Sequence, residues 1–475
     1  MTSHRLRTYP LGFCLAILAG LFLSAAAFAG PPDFPQKPRP AVILISIDGL
    51  KPEYVLDARA HGLKIKNLRD FLRDGAYSTG VHGVVPTVTY PSHTTMLTGV
   101  APATHGIYAN TTFDPFRKNY GGWYWYAEDI KVPTLWDAAA AAGLVTANVH
   151  WPVGVAAPHI NWNLPQYWRA GTPDDRKLLR VLATPGLLEL LEKDLGPYAD
   201  GIDESIAGDE TRAKFAARLI ELKRPAFATV YLTALDTEQH ASGPFSAQSI
   251  ATLERIDAAL GLILKSIKHA YGKNAVVCVV SDHGFVPTDK ALNLAVAFRS
   301  AGLIDFDEKD AVKSWKAMIR GAGGSAAIVL HDKSDAATKT QVATLLATLA
   351  ADPANGIDRV INEDELHARG GFPDATFLVA LRPGFVTGDG VSGNLVTAST
   401  YKGMHGYWPD VADMNSSFFL IGPDIRGGHS LGAIDMRSIA PTLAVILGVS
   451  LPDAEVKSLQ LFVLEPFAIP WNPGN

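Results

Sequence analysis

The sequence predicts an α/β fold with a mostly parallel central sheet, helices on both faces and a smaller α+β insertion. Three observations carry this expectation. Continuous apolar, β-branched runs recur at residues 41–47, 226–232, 275–280 and 418–421, and such runs suit strands covered on both faces. Helical periodicity fills the intervals, at residues 66–74, 134–142, 187–193, 209–222 and 247–271. Alternation of the two is the pattern of parallel strands joined by crossover helices.

In chain order, residues 1–29 read as a secretory signal peptide. Arg5 and Arg7 supply the positive start, residues 11–23 the apolar stretch, and Ala27-Phe28-Ala29 the cleavage site. The stretch is short for a bilayer, so no stable membrane anchor is expected. Residues 30–40 hold five prolines and read as a linker. A first part of the core follows at 41–291. The rhythm then breaks over 292–399, read as the insertion: a loop at 321–324, a strand at 326–331, an alanine-rich helix at 337–351 and a strand at 374–381. The core resumes over 400–475 and includes a helix at 436–447.

With 475 residues, 48% hydrophobic and 19% charged, the chain has material for one large core or two domains. Its formal charge of −5 comes with no basic stripe, which argues against a nucleic-acid polymer as partner. Of two cysteines, Cys14 lies in the signal segment and Cys278 in an apolar strand. A mature chain without a disulfide suits a bacterial periplasmic or secreted enzyme.

The chemistry lies at the ends of these elements. Asp48 follows the first apolar run, and Asp282-His283-Gly284 follows the third. Asp236 and His240 are one helical turn apart, and His405 sits between glycines. Each motif alone is common in turns and on helix surfaces. Together the six side chains look able to gather two metal ions around Thr89, in the segment Pro86-Thr-Val-Thr89-Tyr-Pro-Ser-His93. A hydroxyl between two cations is a nucleophile for phosphoryl transfer. Mixed Asp/His donors favour zinc or a neighbouring transition metal over magnesium.

These motifs, in this order, make the chain resemble the nucleotide pyrophosphatase/phosphodiesterases of the alkaline phosphatase superfamily. The stretches Ile45–Leu50, Pro86–His93, Thr98-Gly99, His105–Asn110, Asp236–Pro244, Ser281–Gly284 and Gly403–Tyr407 carry the resemblance. It implies an alkaline-phosphatase-like fold and two zinc ions, one held by Asp236, His240 and His405, the other by Asp48, Asp282 and His283 with Thr89. Thr89 would form a phospho-threonine intermediate, and Asn110 would donate to a non-bridging oxygen. Tyr90 and Tyr167 would grip a nucleobase. The implied substrate is a small-molecule phosphate diester of the nucleotide type. Leu235 and Gln239 depart from the family's proline and glycine without removing a ligand.

Three alternatives stand beside this reading. A threonine-nucleophile phosphate monoesterase would add a cationic clamp, for which Arg169 is the candidate. A lipid head-group phosphodiesterase would keep the same chemistry, and a non-catalytic metal-binding protein would keep only the site. His82, His93, His105, His150 and His159 are expected to be hydrogen-bonded core or turn residues. Trp123-Tyr-Trp-Tyr126 is expected as a core strand and pocket wall.

Overall fold

The central sheet has eight strands, ordered His429–Ser430, Ala76–Tyr77, Phe418–Ile421, Ala275–Val280, Ala41–Ile47, Phe227–Leu232, Thr146–Val149 and Trp162–Leu164. They belong to a computed structural model that describes residues 39–119, 122–168, 172–198 and 201–461. The segment at 1–29 read as a signal peptide, most of the stretch read as a linker, and Arg169 lie outside the described residues. Ala41–Ile47 runs parallel to both neighbours, and Phe418–Ile421 is antiparallel to both of its own. The sheet is therefore mostly parallel, as the apolar runs predict.

Strand alternation sends the same run into two cores. Ile43, Ile45 and Ile47 enter one, with helices Leu187–Leu195, Ile206–Lys223 and Ala247–Tyr271. Val42 and Leu44 enter the other, with Thr89–Thr98, Leu135–Ala141 and Ile439–Leu447. Both faces are thus covered by helices. The uniform burial of Ala41–Ile47 explains why it shows no polar alternation.

A second, antiparallel sheet is ordered Ala317–Gly321, Ser325–Leu330, Phe377–Leu381 and Ile357–Asn362. Leu346 and Val342 of helix Ala336–Ala351 join its core. The strand Val286–Leu292 leaves the central sheet just after His283 and pairs with Gly384–Thr387, Val396–Ala398 and Gly403–Met404. The last pairing sets His405 beside the end of Ala275–Val280.

The ends of helices are tied across the fold by buried carboxylates. Asp257, on the long helix Ala247–Tyr271, accepts the backbone N–H of Asn67 at 3.1 Å and of Leu68 at 2.8 Å. These are first-turn amides of helix Lys66–Asp74, which have no partner within that helix. Asp257→Ala is therefore expected to leave two buried donors unpaired and to destabilise the fold by about 1–3 kcal/mol. Chemical denaturation checks this; an unchanged midpoint would contradict it.

Candidate metal and phosphoryl-transfer site

The carboxyl ends of the three innermost parallel strands converge on one point. Asp48 follows Ala41–Ile47, Asp282 and His283 follow Ala275–Val280, and helix Ala234–Ser242, carrying Asp236 and His240, follows Phe227–Leu232. Crevices at strand carboxyl ends are where open α/β sheets place their ligands. Gly49 makes the first turn at φ 65°, with its N–H on Asp282 Oδ1 at 3.1 Å. Gly284 is required for space: a Cβ there would lie 1.9 Å from the Asp413 carbonyl oxygen.

All six predicted donors come together. Ligand atoms of Asp48, Asp282 and His283 lie within 4.8 Å of one another, as do those of Asp236, His283 and His405. His240 Nε2 is 3.4 Å from Asp236 Oδ2. His283 thus belongs to both groups, and its ring stacks on that of His405 at 3.7 Å between centroids.

Three contacts fix the imidazoles. Nδ1 of His240, His283 and His405 faces the carbonyl oxygens of Gly403, Gly284 and Thr87 at 3.0, 3.2 and 3.3 Å. A neutral ring with its proton on Nδ1 presents a bare Nε2 to the cluster, the state that binds metal. Four atoms there are buried without a hydrogen bond: Asp48 Oδ1, Asp236 Oδ1, Asp282 Oδ2 and His283 Nε2. Buried acceptors aimed at one another leave their lone pairs unspent, and divalent cations accept such lone pairs. The residues present therefore fit a metal site.

The electrostatics agree. Burial, then the charges of Asp282 and Asp236, push the Asp48 carboxyl well above the usual range. Burial, then Asp282 and Glu204, do the same to Asp236. Burial holds His283 and His405 well below the ordinary imidazole value, and lowers His240 to about 4.

Thr89 opens helix Thr89–Thr98, all ten residues of which are buried, and it lines a cleft of about 450 Å³ with Asp48, Asp236, His240 and His405. The helix N-terminus carries partial positive charge that favours an anion there. Asn110 Oδ1 accepts the Tyr90 N–H at 2.9 Å, so its amide nitrogen keeps its hydrogens for another acceptor.

The aromatic residues are placed unevenly. Tyr90 lines the cleft but is 1% exposed, with its hydroxyl on Gln166 Oε1 at 2.8 Å. Tyr167 is turned away from the cleft and packs against Trp125 at 5.3 Å in a closed aromatic cluster. Its neighbours Gln166 and Trp168 face the cleft instead, with Trp123. Trp125 lies in the packed cluster and Trp123 on the cleft wall, and the segment 123–126 forms isolated bridges, not a regular strand. His93 and His105 are buried with hydrogen-bond partners. His150 is buried beside Arg212, and His159 pairs with Asp137.

The sequence profile of the "type I phosphodiesterase / nucleotide pyrophosphatase" family matches residues 42–408. The chain belongs to that family. Ectonucleotide pyrophosphatase/phosphodiesterase family member 3 of Mus musculus is 28% identical over 54% of this chain and 26% of its own length. Venom phosphodiesterase of Naja atra is 26% identical over 55% of this chain and 28% of its own length. These matches thus span about a quarter of those curated relatives. A solved structure of murine ectonucleotide pyrophosphatase/phosphodiesterase 5, an inactive variant in complex with AMP, shares the fold. Its TM-score is 0.63 at 18% identity, covering 89% of this chain and 97% of that one.

Sequence reasoning missed residues that hold this family's site in place. Tyr231 donates its hydroxyl to Asp48 Oδ2 from inside an apolar strand. A buried tyrosine hydroxyl must find a partner, and that was the available signal. Asp209 accepts the N–H of Thr233 at 2.8 Å and of Ala234 at 2.9 Å, capping the helix that carries Asp236 and His240. Arg212, fully buried against Asp209, also donates to the carbonyls of Gly201 and Asp203, beside Glu204 on the cleft wall.

Two outcomes are expected. Tyr231→Phe frees one Asp48 oxygen and should weaken divalent-metal affinity about 10–100-fold, measured by competition with a chelating dye; unchanged affinity would contradict the role. Because the Asp48 and Asp236 carboxyls are raised, the metal-free cluster loses stability as pH climbs from the ordinary carboxylate range through those raised values. Cation binding needs ionised carboxylates and neutral imidazoles, so it strengthens in the same direction. The rise in Tm on adding zinc should be larger near pH 8 than near pH 5. Equal or reversed gains would contradict this.

Proposed function

We propose that this protein hydrolyses nucleotide diester or pyrophosphate bonds, with Thr89 as nucleophile and two zinc ions in the Asp/His cluster. The observation that carries the reading is the convergence of six donors, buried or half-buried and four with orphaned atoms, on the cleft that Thr89 lines. Family membership supports the reaction class, and the AMP bound in the related solved structure supports a nucleotide as substrate.

Asp236, His240 and His405 are assigned to one ion, and Asp48, Asp282 and His283 with Thr89 to the other. When bound, such cations lower the pKa of a nearby hydroxyl and neutralise charge on phosphoryl oxygens. Thr89 Oγ1 then bonds to phosphorus while the bond to the departing oxygen breaks. Water cleaves the resulting phospho-threonine, returning the hydroxyl and releasing a nucleoside 5′-monophosphate. Asn110 donates its free amide hydrogen to a non-bridging oxygen as charge develops. Tyr90, Trp123 and Trp168 form the aromatic wall at the nucleoside end, and Trp168 takes the part first expected of Tyr167. The segment at 1–29 would direct the enzyme to the periplasm or outside the cell.

Charge favours a diester over a monoester. Glu204 lines the cleft beside Asp48 and Asp236 and adds to its acidic character. A dianionic monoester needs a further cation, and a monoanionic diester does not. The wild type should therefore cleave p-nitrophenyl thymidine 5′-phosphate at least about 100-fold more efficiently than p-nitrophenyl phosphate. Thr89→Ala should remove turnover of both and keep the melting temperature. Monoester preference, or activity surviving the substitution, would overturn the reading.

A further inference from the structure

We propose that the cavity between the loop after Asn110 and the second sheet is a subsite for the leaving half of the substrate. The inference rests on the phosphodiesterase reading above. A diester or pyrophosphate carries two substituents on the reacting phosphorus. The wall of Trp123 and Trp168 serves one, and the other needs its own place.

A cavity of about 270 Å³ adjoins the cleft, and Thr111 and Gly321 line both. One wall is apolar, with Phe113, Phe306 and Met318, and the rim includes Thr112 and Asp389. Arg320 ties the two sides together. It stands on the second sheet, its Nη2 donates to the Thr111 carbonyl, and its guanidinium lies 5.0 Å from the Tyr108 ring and 5.8 Å from the Phe113 ring. The side chain is 7% exposed, and Nη1, 3.6 Å from Asp374 Oδ2, makes no hydrogen bond.

The cavity therefore has tied walls and an apolar face. That combination suits a ring-bearing group. The second nucleoside of a dinucleotide is such a group, and p-nitrophenol is too small to fill the space.

Val391 lines the cavity outside the catalytic cluster. Val391→Trp fills the space, Phe306→Ala removes part of the apolar wall, and Val391→Ala serves as control. The substrates are diadenosine diphosphate and p-nitrophenyl adenosine 5′-phosphate, which share the adenylyl half and differ in the leaving group. Val391→Trp and Phe306→Ala should each raise KM for the dinucleotide about tenfold and change KM for the nitrophenyl ester less than about twofold. Val391→Ala should change neither. Equal effects on both substrates, or none in either variant that keeps a native melting transition, overturn the subsite. A wild type that cleaves the nitrophenyl ester but not the dinucleotide also overturns it. A wild type that cleaves neither overturns the phosphodiesterase reading itself.

Discussion

Asp48 and Asp282 are buried together, Asp236 is half-buried beside them across His283, and the rest of the site follows from that crowding. Two like charges 4 Å apart repel by roughly 4 kcal/mol at an effective dielectric near 20. Protonation relieves this at low pH, and cations relieve it at neutral pH. The surrounding protein is arranged for the second solution. Three backbone carbonyls hold the histidines with Nε2 inward, Tyr231 satisfies one oxygen of Asp48, and Gly49 satisfies one of Asp282. The oxygens left over are those that point at one another.

Such a cluster can persist only on a scaffold that prevents it from relaxing. The scaffold is the centre of the parallel sheet, where Ala41–Ile47 is locked between two neighbours and buried throughout. Helix Ala234–Ser242 is held at its start by the buried Asp209–Arg212 pair. The same arginine grips the loop that leads to Glu204, so one ion pair braces both the helix carrying Asp236 and His240 and a wall of the cleft. Breaking a buried pair by removing one partner is costly, which makes this brace stiff.

How much of this was legible depended on whether the signal was local. The strands at Ala41–Ile47, Ala275–Val280 and Phe418–Ile421 were readable because a doubly covered strand shows no alternation of polar and apolar positions. Helix Ala247–Tyr271 was readable from its period. Helix Thr89–Thr98 was not, because every side is buried and no apolar stripe exists. The short strands Thr146–Val149 and Trp162–Leu164 were too brief to stand out. In the site, the six donors lie within short motifs. Tyr231, Asp209, Arg212 and Glu204 act across distant parts of the chain, where no local spacing records them. That Trp168 and not Tyr167 lines the cleft depends on which way neighbouring side chains of one loop face, and sequence order does not specify that.

The family profile and the central sheet agree on one architecture, and the orphaned ligand atoms supply its chemical reason. Anomalous-difference density from crystals of the protein purified without chelator, collected on both sides of the zinc absorption edge, tests that reason most directly. The account predicts strong peaks among Asp48, Asp236, His240, Asp282, His283 and His405 that vanish below the edge. Well-ordered density in that cluster with no anomalous signal for zinc or any other transition metal would contradict it.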